Sequence, residues 1–236
     1  MTTEKSIQLR LLVETGNLTD LEKLPEVWIF GYGSLVWLPK FEFSEKKIGK
    51  ILGWKRRFYQ GNSTHRGIPG KPGRVVTLLP SHRSDSVYGC AYRLTGADQI
   101  KKSLDHLNMR ESTLGGYELN VETFQCEETG RSIPVLVYRA TSSNPQFTGF
   151  EEILELAHVI AFSTGPAGSN WEYLARLAQW HAANVRATDH HLEALERATR
   201  KIMEEKVWPK LEETIRPRKG SNAMKPLQNK IRRFAE

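Results

Sequence analysis

Cysteine is scarce: Cys90 and Cys126 are the only two in 236 residues. Two thiols build neither a disulfide framework nor a Cys-rich zinc site, and they fit a reducing compartment, so a cytoplasmic location is expected. Long apolar runs are missing as well. No stretch approaches the ~20 residues a membrane helix requires, which leaves a soluble globular protein without a membrane partner. The leading 26 residues hold one apolar stretch, Leu9 to Val13, with Arg10 inside it and Glu4, Glu14, Asp20, Glu22 and Glu26 around it. That is neither a secretory signal nor an acid-poor transit peptide. Paired histidine spacing is also absent. His158, His181, His190 and His191 lie outside any H-E-x-x-H frame, so no metal site is expected.

The formal charge is +7, but most of the chain lacks a basic excess. Residues 214–236 hold seven Lys/Arg against one Glu, and the other 213 residues carry one net positive charge. This basic segment, punctuated by Pro217 and Gly220, reads as a flexible tail. Its one aromatic, Phe234, makes no stacking platform for single strands, so nucleic acid is not expected as a partner. The chain therefore divides into an N-terminal extension (1–26, polar and at most partly ordered), one domain (27–213) and the tail (214–236).

Within the domain, nine of the 22 aromatic residues fall between Trp28 and Tyr59, and the core is expected to start there. Residues 27–32 read as a buried strand ending at Gly33, and 47–59 as one or two strands bent at Gly49 and Gly53. Residues 61–73 are too dense in Gly and Pro for regular structure. The β-rich runs 74–79 and 87–94, parted by a turn cluster, predict a hairpin or meander. Ile100, Leu104 and Leu107 recur at the helical period from Ala97 toward Glu111, and strands are expected at 117–126 and 133–140. Three apolar stripes then predict helices, the second opened by the capping-box pair Ser169 and Glu172. Strands first and helices last indicate an α+β domain whose mixed sheet can curl into a barrel.

Two features carry chemistry. In Phe30-Gly31-Tyr32-Gly33-Ser34-Leu35 a buried strand runs into glycines that let backbone N–H groups approach a ligand, although the same pattern makes a tight turn. The frame is neither a dinucleotide fingerprint nor a nucleophile elbow. Glu111 follows Leu107 by four residues, so a continuous helix would put its carboxylate on the apolar face. Burial there would raise its pKa and make it a base or acid usable near neutral pH. If the helix frays first, Glu111 is solvated or paired with Arg110. Around the Gly/Pro loop, Arg56, Arg57, His65, Arg66, Lys71 and Arg74 form either a solvated basic face or a cluster for a carboxylate substrate.

These segments together resemble a known family. Residues 28–37 (WIFGYGSLVW), 56–61 (RRFYQG), 65–78 (HRGIPGKPGRVVTL), 107–111 (LNMRE) and 114–117 (LGGY) are similar, in order, to the ChaC family of glutathione-specific γ-glutamylcyclotransferases, nearest its eukaryotic branch. The resemblance spans residues 27 to 195. It implies a six-stranded, barrel-like γ-glutamylcyclotransferase fold with flanking helices, and cleavage of reduced glutathione to 5-oxoproline and cysteinylglycine without a cofactor. It makes Glu111 the catalytic general base and acid. It gives Tyr32, Gly33, Ser34 and Leu35 the substrate-binding loop; beside it, Arg74 or a neighbouring cation of the 65–74 loop is expected to hold a substrate carboxylate, and Tyr117 and Tyr138 are expected as further substrate contacts. A non-catalytic module of the same fold would lack the acid, and another γ-glutamyl substrate is the nearest enzymatic rival.

Overall fold

The computed structural model describes residues 2–113 and 116–215. In chain order its elements are α1 (Thr2–Glu14), β1 (Glu26–Gly31), β2 (Glu45–Leu52), β3 (Trp54–Asn62), β4 (Gly73–Pro80), β5 (Ser86–Thr95), α2 (Ala97–Leu107), β6 (Glu118–Cys126), β7 (Ser132–Arg139), α3 (Ile153–Phe162), α4 (Asn170–Asn184) and α5 (His190–Ile215). Five strands close a barrel in the order β1-β5-β2-β6-β7. Its antiparallel ladders are sealed by a parallel seam between β1 and β7, where Ile29 faces Leu136. Closure needs a residue without a side chain on β2: a Cβ at Gly49 would stand 2.1 Å from the Gln125 carbonyl oxygen.

The mixed α+β barrel matches the expected class, with four local differences. The barrel has five strands rather than six, because β3 and β4 pair with each other as a separate ribbon, with a register shift between Arg57 and Gln60 and an isolated bridge from Gln60 to Phe147. For the same reason β4 and β5 are not a hairpin. β5 instead lies between β1 and β2, while β6 and β7 do form the expected hairpin. The extension is not merely polar. α1 and the 3-10 turn Leu18–Lys23 bury Leu9 and Leu21 in the cluster that holds Ile29, Leu94 and Leu136, so the core begins before Val27. Finally, α2 packs Ile100, Leu104 and Leu107 into that cluster and stops as an α-helix at Leu107. The expected tail falls outside the described residues beyond Ile215.

On the other side of the barrel wall, Phe30, Phe58, Tyr92 and Phe124 pack with Leu174, Leu177, Leu192 and Leu195 of the last two helices. α4 starts as its sequence indicates: the Ser169 hydroxyl accepts the Glu172 N–H at 3.1 Å. The reciprocal half of the capping box is not made, since the Glu172 carboxylate receives Arg66 instead, at 2.8 Å.

Candidate active site

A cavity of about 350 Å³ opens where β1 ends, between the β4 edge, the segment after α2 and the start of α4. Its first wall is the glycine loop. β1 leaves the barrel at Gly31, and residues Ser34–Val36 form a 3-10 turn whose first internal donor is the Val36 N–H, to the Gly33 carbonyl at 3.1 Å. N–H groups that precede such a donor have no acceptor within the turn and are available to a ligand. Gly33 is required by close approach: a Cβ would lie 2.8 Å from both the Tyr173 hydroxyl and Val76 Cγ2.

The loop is held from behind by Arg56, which is 2% exposed. Its guanidinium donates to the Tyr32 carbonyl at 2.7 Å, to the Tyr88 carbonyl at 3.3 Å and to Asp189 Oδ2 at 3.0 Å. Asp189 also accepts the Leu192 N–H at 3.1 Å and so caps α5. Burial pushes the Asp189 carboxyl up, but the Arg56 charge and these hydrogen bonds outweigh it and hold the group below its usual range.

Glu111 arrives by a change of helical pitch. After Leu107 the chain winds into a π-helical turn, Asn108–Thr113, which turns the following side chains off the core-facing stripe and toward the cavity. Tyr138 clamps this turn to the barrel, its hydroxyl donating to Asn108 Oδ1 at 2.6 Å. The Tyr117 N–H donates to the Glu111 carbonyl at 2.9 Å. Both readings of Glu111 therefore hold in part. It is off the apolar stripe and paired with Arg110 at 3.0 Å, yet it lines the cavity with its side chain 17% exposed. Arg110 also donates to the Ser34 hydroxyl, tying the acid to the glycine loop.

The surroundings raise the proton affinity of this acid. Burial raises the Glu111 carboxyl above its usual 4.5, and the Arg110 charge only partly opposes the rise. Four tyrosines surround it. Burial drives Tyr32, Tyr117 and Tyr138 well up and Tyr173 to about 12, with the Glu111 charge adding to each, so all four stay protonated near neutral pH. Three of the hydroxyls are committed to the scaffold as donors: Tyr32 to the Tyr138 carbonyl at 2.8 Å, Tyr117 to the Val76 carbonyl at 2.9 Å and Tyr138 to Asn108. The fourth, on Tyr173, accepts the Val76 N–H at 3.4 Å.

Tyr32, Gly33, Ser34, Leu35, Glu111, Tyr117 and Tyr138 thus meet at one cavity. Arg74 does not. Its guanidinium turns to Glu151, with bonds of 2.8 and 3.2 Å, and it lies outside this cavity. Its donors are taken by that acid, so among the cations of this loop Arg74 is not one that reaches the cavity. From the same loop, Arg66 and His65 do line the cavity, shaped by Asn62, whose side-chain oxygen accepts their N–H groups at 2.7 and 2.9 Å. Tyr173, Lys40 and His106 complete the lining without any local sequence signal. No group of three His, Cys, Asp or Glu among the described residues is arranged to hold a metal ion.

Comparison with known proteins bears on this arrangement. The family described as ChaC-like protein matches residues 27–202. Glutathione-specific gamma-glutamylcyclotransferase 1 of Rattus norvegicus is 43% identical over 171 residues, covering 72% of this chain and 76% of the rat protein. Glutathione-specific gamma-glutamylcyclotransferase of Saccharomyces cerevisiae is 32% identical over 217 residues, covering 72% of this chain and 94% of its own. A crystal structure of the glutathione-specific enzyme from yeast superimposes with a TM-score of 0.70 at 30% identity, covering 77% of this chain and 99% of the yeast one.

Proposed function

The chain belongs to the ChaC-like family, and from that membership we propose that it cleaves reduced glutathione into 5-oxoproline and cysteinylglycine, with Glu111 as the acid–base group. The observation that carries this reading is the placement of Glu111: among the described residues lining the cavity it is the one carboxylate, it faces the glycine loop, and its pKa is raised. The reaction asks one group for two proton transfers. Ionised Glu111 takes a proton from the substrate ammonium, and the freed amine attacks the γ-carbonyl carbon. As the new C–N bond closes the five-membered ring, charge builds on the carbonyl oxygen, where N–H groups of the Tyr32, Gly33, Ser34 and Leu35 loop can receive it. The amide bond to cysteine then breaks as Glu111 returns its proton to the departing nitrogen, and the surplus proton on the ring nitrogen passes to the new amine, leaving a neutral lactam and a cysteinylglycine ammonium.

Because nucleophile and electrophile belong to one molecule, ring closure needs little from the protein beyond positioning and proton traffic. Tyr117 and Tyr138 support the reading as walls beside Glu111. The substrate contact first expected of Arg74 passes to cations that line the cavity. We further propose a cytoplasmic setting: no helix among the described residues is long and apolar enough to cross a membrane, both cysteines are free and buried, and the substrate is a thiol. Incubating the purified protein with reduced glutathione and following 5-oxoproline and cysteinylglycine by mass tests the proposal. Equal amounts of both products are expected; unchanged glutathione overturns it.

A further inference from the structure

Lys40 has no part in the reaction as derived so far. It is the single described residue other than glycine with a left-handed backbone, at φ 57°, and its side chain lines the cavity. That conformation crowds the Cβ against the neighbouring carbonyl, and lysine lacks the short polar side chain with which Asn or Asp eases it. The loop around it is pinned on both sides. The Leu38 N–H donates to the Ser34 carbonyl at 2.9 Å, the Ser44 N–H to the Arg93 carbonyl at 2.8 Å, and Phe41 packs edge-on against Tyr92. A strained residue held by its surroundings, at the rim of a site, points to a use for its side chain.

Charge bookkeeping identifies that use. Arg66 is engaged by Glu172 and the Ser169 carbonyl, and Arg110 by Glu111 and Ser34. Lys40 is exposed and, among the described residues, is paired with no carboxylate. Burial chiefly, then Arg110, holds His65 and His106 below their usual range, and the Lys40 charge adds to both. The cavity therefore has an acid and a glycine loop within and an uncommitted ammonium at its mouth.

Resting on the assignment of glutathione above, the substrate must enter γ-glutamyl end first, because its amine and γ-carbonyl react beside Glu111. Its glycine carboxylate then lies two residues further out, roughly 7 Å at ~3.3 to 3.6 Å per extended residue. We propose that Lys40 receives this glycine carboxylate and thereby sets the preference for glutathione over γ-glutamyl compounds that lack a charge at that end. A contact held alike in ground and transition states raises KM when removed and leaves kcat nearly alone.

The test compares reduced glutathione with its glycyl monoethyl ester on the wild-type chain, Lys40→Gly and Lys40→Arg. Wild type is expected to show a KM about tenfold higher for the ester, the size of one exposed charge-assisted contact. Lys40→Gly should raise the glutathione KM by a similar factor, keep kcat, and no longer distinguish acid from ester. Lys40→Arg should restore the distinction. Glycine also relieves the positive φ, so the melting temperature of Lys40→Gly should equal or exceed that of wild type, which separates lost recognition from lost folding. A wild-type enzyme that treats acid and ester alike, or a Lys40→Gly enzyme that keeps the preference, overturns the proposal. Cleavage of neither compound by wild type instead overturns the substrate assignment on which it rests.

Discussion

Glu111 is asked to be charged for one step and neutral for the next, and burial eases the second demand by raising its carboxyl above the usual range while Arg110 partly opposes the rise. Replacing it with glutamine preserves shape but removes the ability to accept a proton, so kcat should fall by about 100- to 10,000-fold, as for other acid–base groups. Because its pKa is raised in the folded chain, the native state binds a proton more readily than the unfolded state does. This group's contribution to stability therefore declines as pH rises from the usual 4.5 through the raised value. The Glu111→Gln protein should accordingly melt no lower than wild type near neutral pH, as calorimetry would show. The same shift sets the rate profile: kcat/KM should have an acidic limb whose midpoint lies above 4.5, since the base must be ionised to begin. A midpoint at or below that value would contradict the burial argument.

Among the elements, the bond that matters most to the loop is made by β3. Removing Arg56 leaves Asp189, 16% exposed, charged and without its partner. Breaking a buried pair in this way costs about 3 to 5 kcal/mol, so Arg56→Met should lower the melting temperature by roughly ten degrees. It should also raise KM, since the Tyr32 carbonyl loses its donor. Unchanged stability and KM in that variant would show that the loop stands by itself. Element by element, the 3.6-residue period of Ile100, Leu104 and Leu107, the Ser169 cap and the β6–β7 hairpin were readable because each is a local pattern. The π-helical turn was not. Its sequence, NMREST, carries no distinguishing spacing, and it is held by Tyr138 from a distant strand. The pairing of Arg74 was unreadable for the related reason that its partner, Glu151, is near only in the fold.

At the scale of the molecule, the resemblance located the glycine loop and the acid, while α1, the separate β3–β4 ribbon and the Tyr173 wall depended on tertiary pairing that no window of residues displays. In sequence, the strongly basic segment begins well after Tyr173, the last residue that lines the cavity. A chain ending at Thr214 is therefore expected to turn over glutathione at the full-length rate in a direct comparison of the two purified proteins. A folded but slow truncated protein would assign the segment a part in the site.

The chain of hydrogen bonds from Asp189 through Arg56 to the Tyr32 carbonyl joins a late residue to an early one. During synthesis from the N-terminus, β1 and its loop leave the ribosome long before the residue that secures them. Tyr173, which walls the loop, also arrives late. A nascent polypeptide therefore carries the glycine loop before it has the tie and the wall that fix it. The loop is thus expected to set only once translation has passed the head of α5, and a chain cut short before that point should turn over substrate more slowly than the full chain.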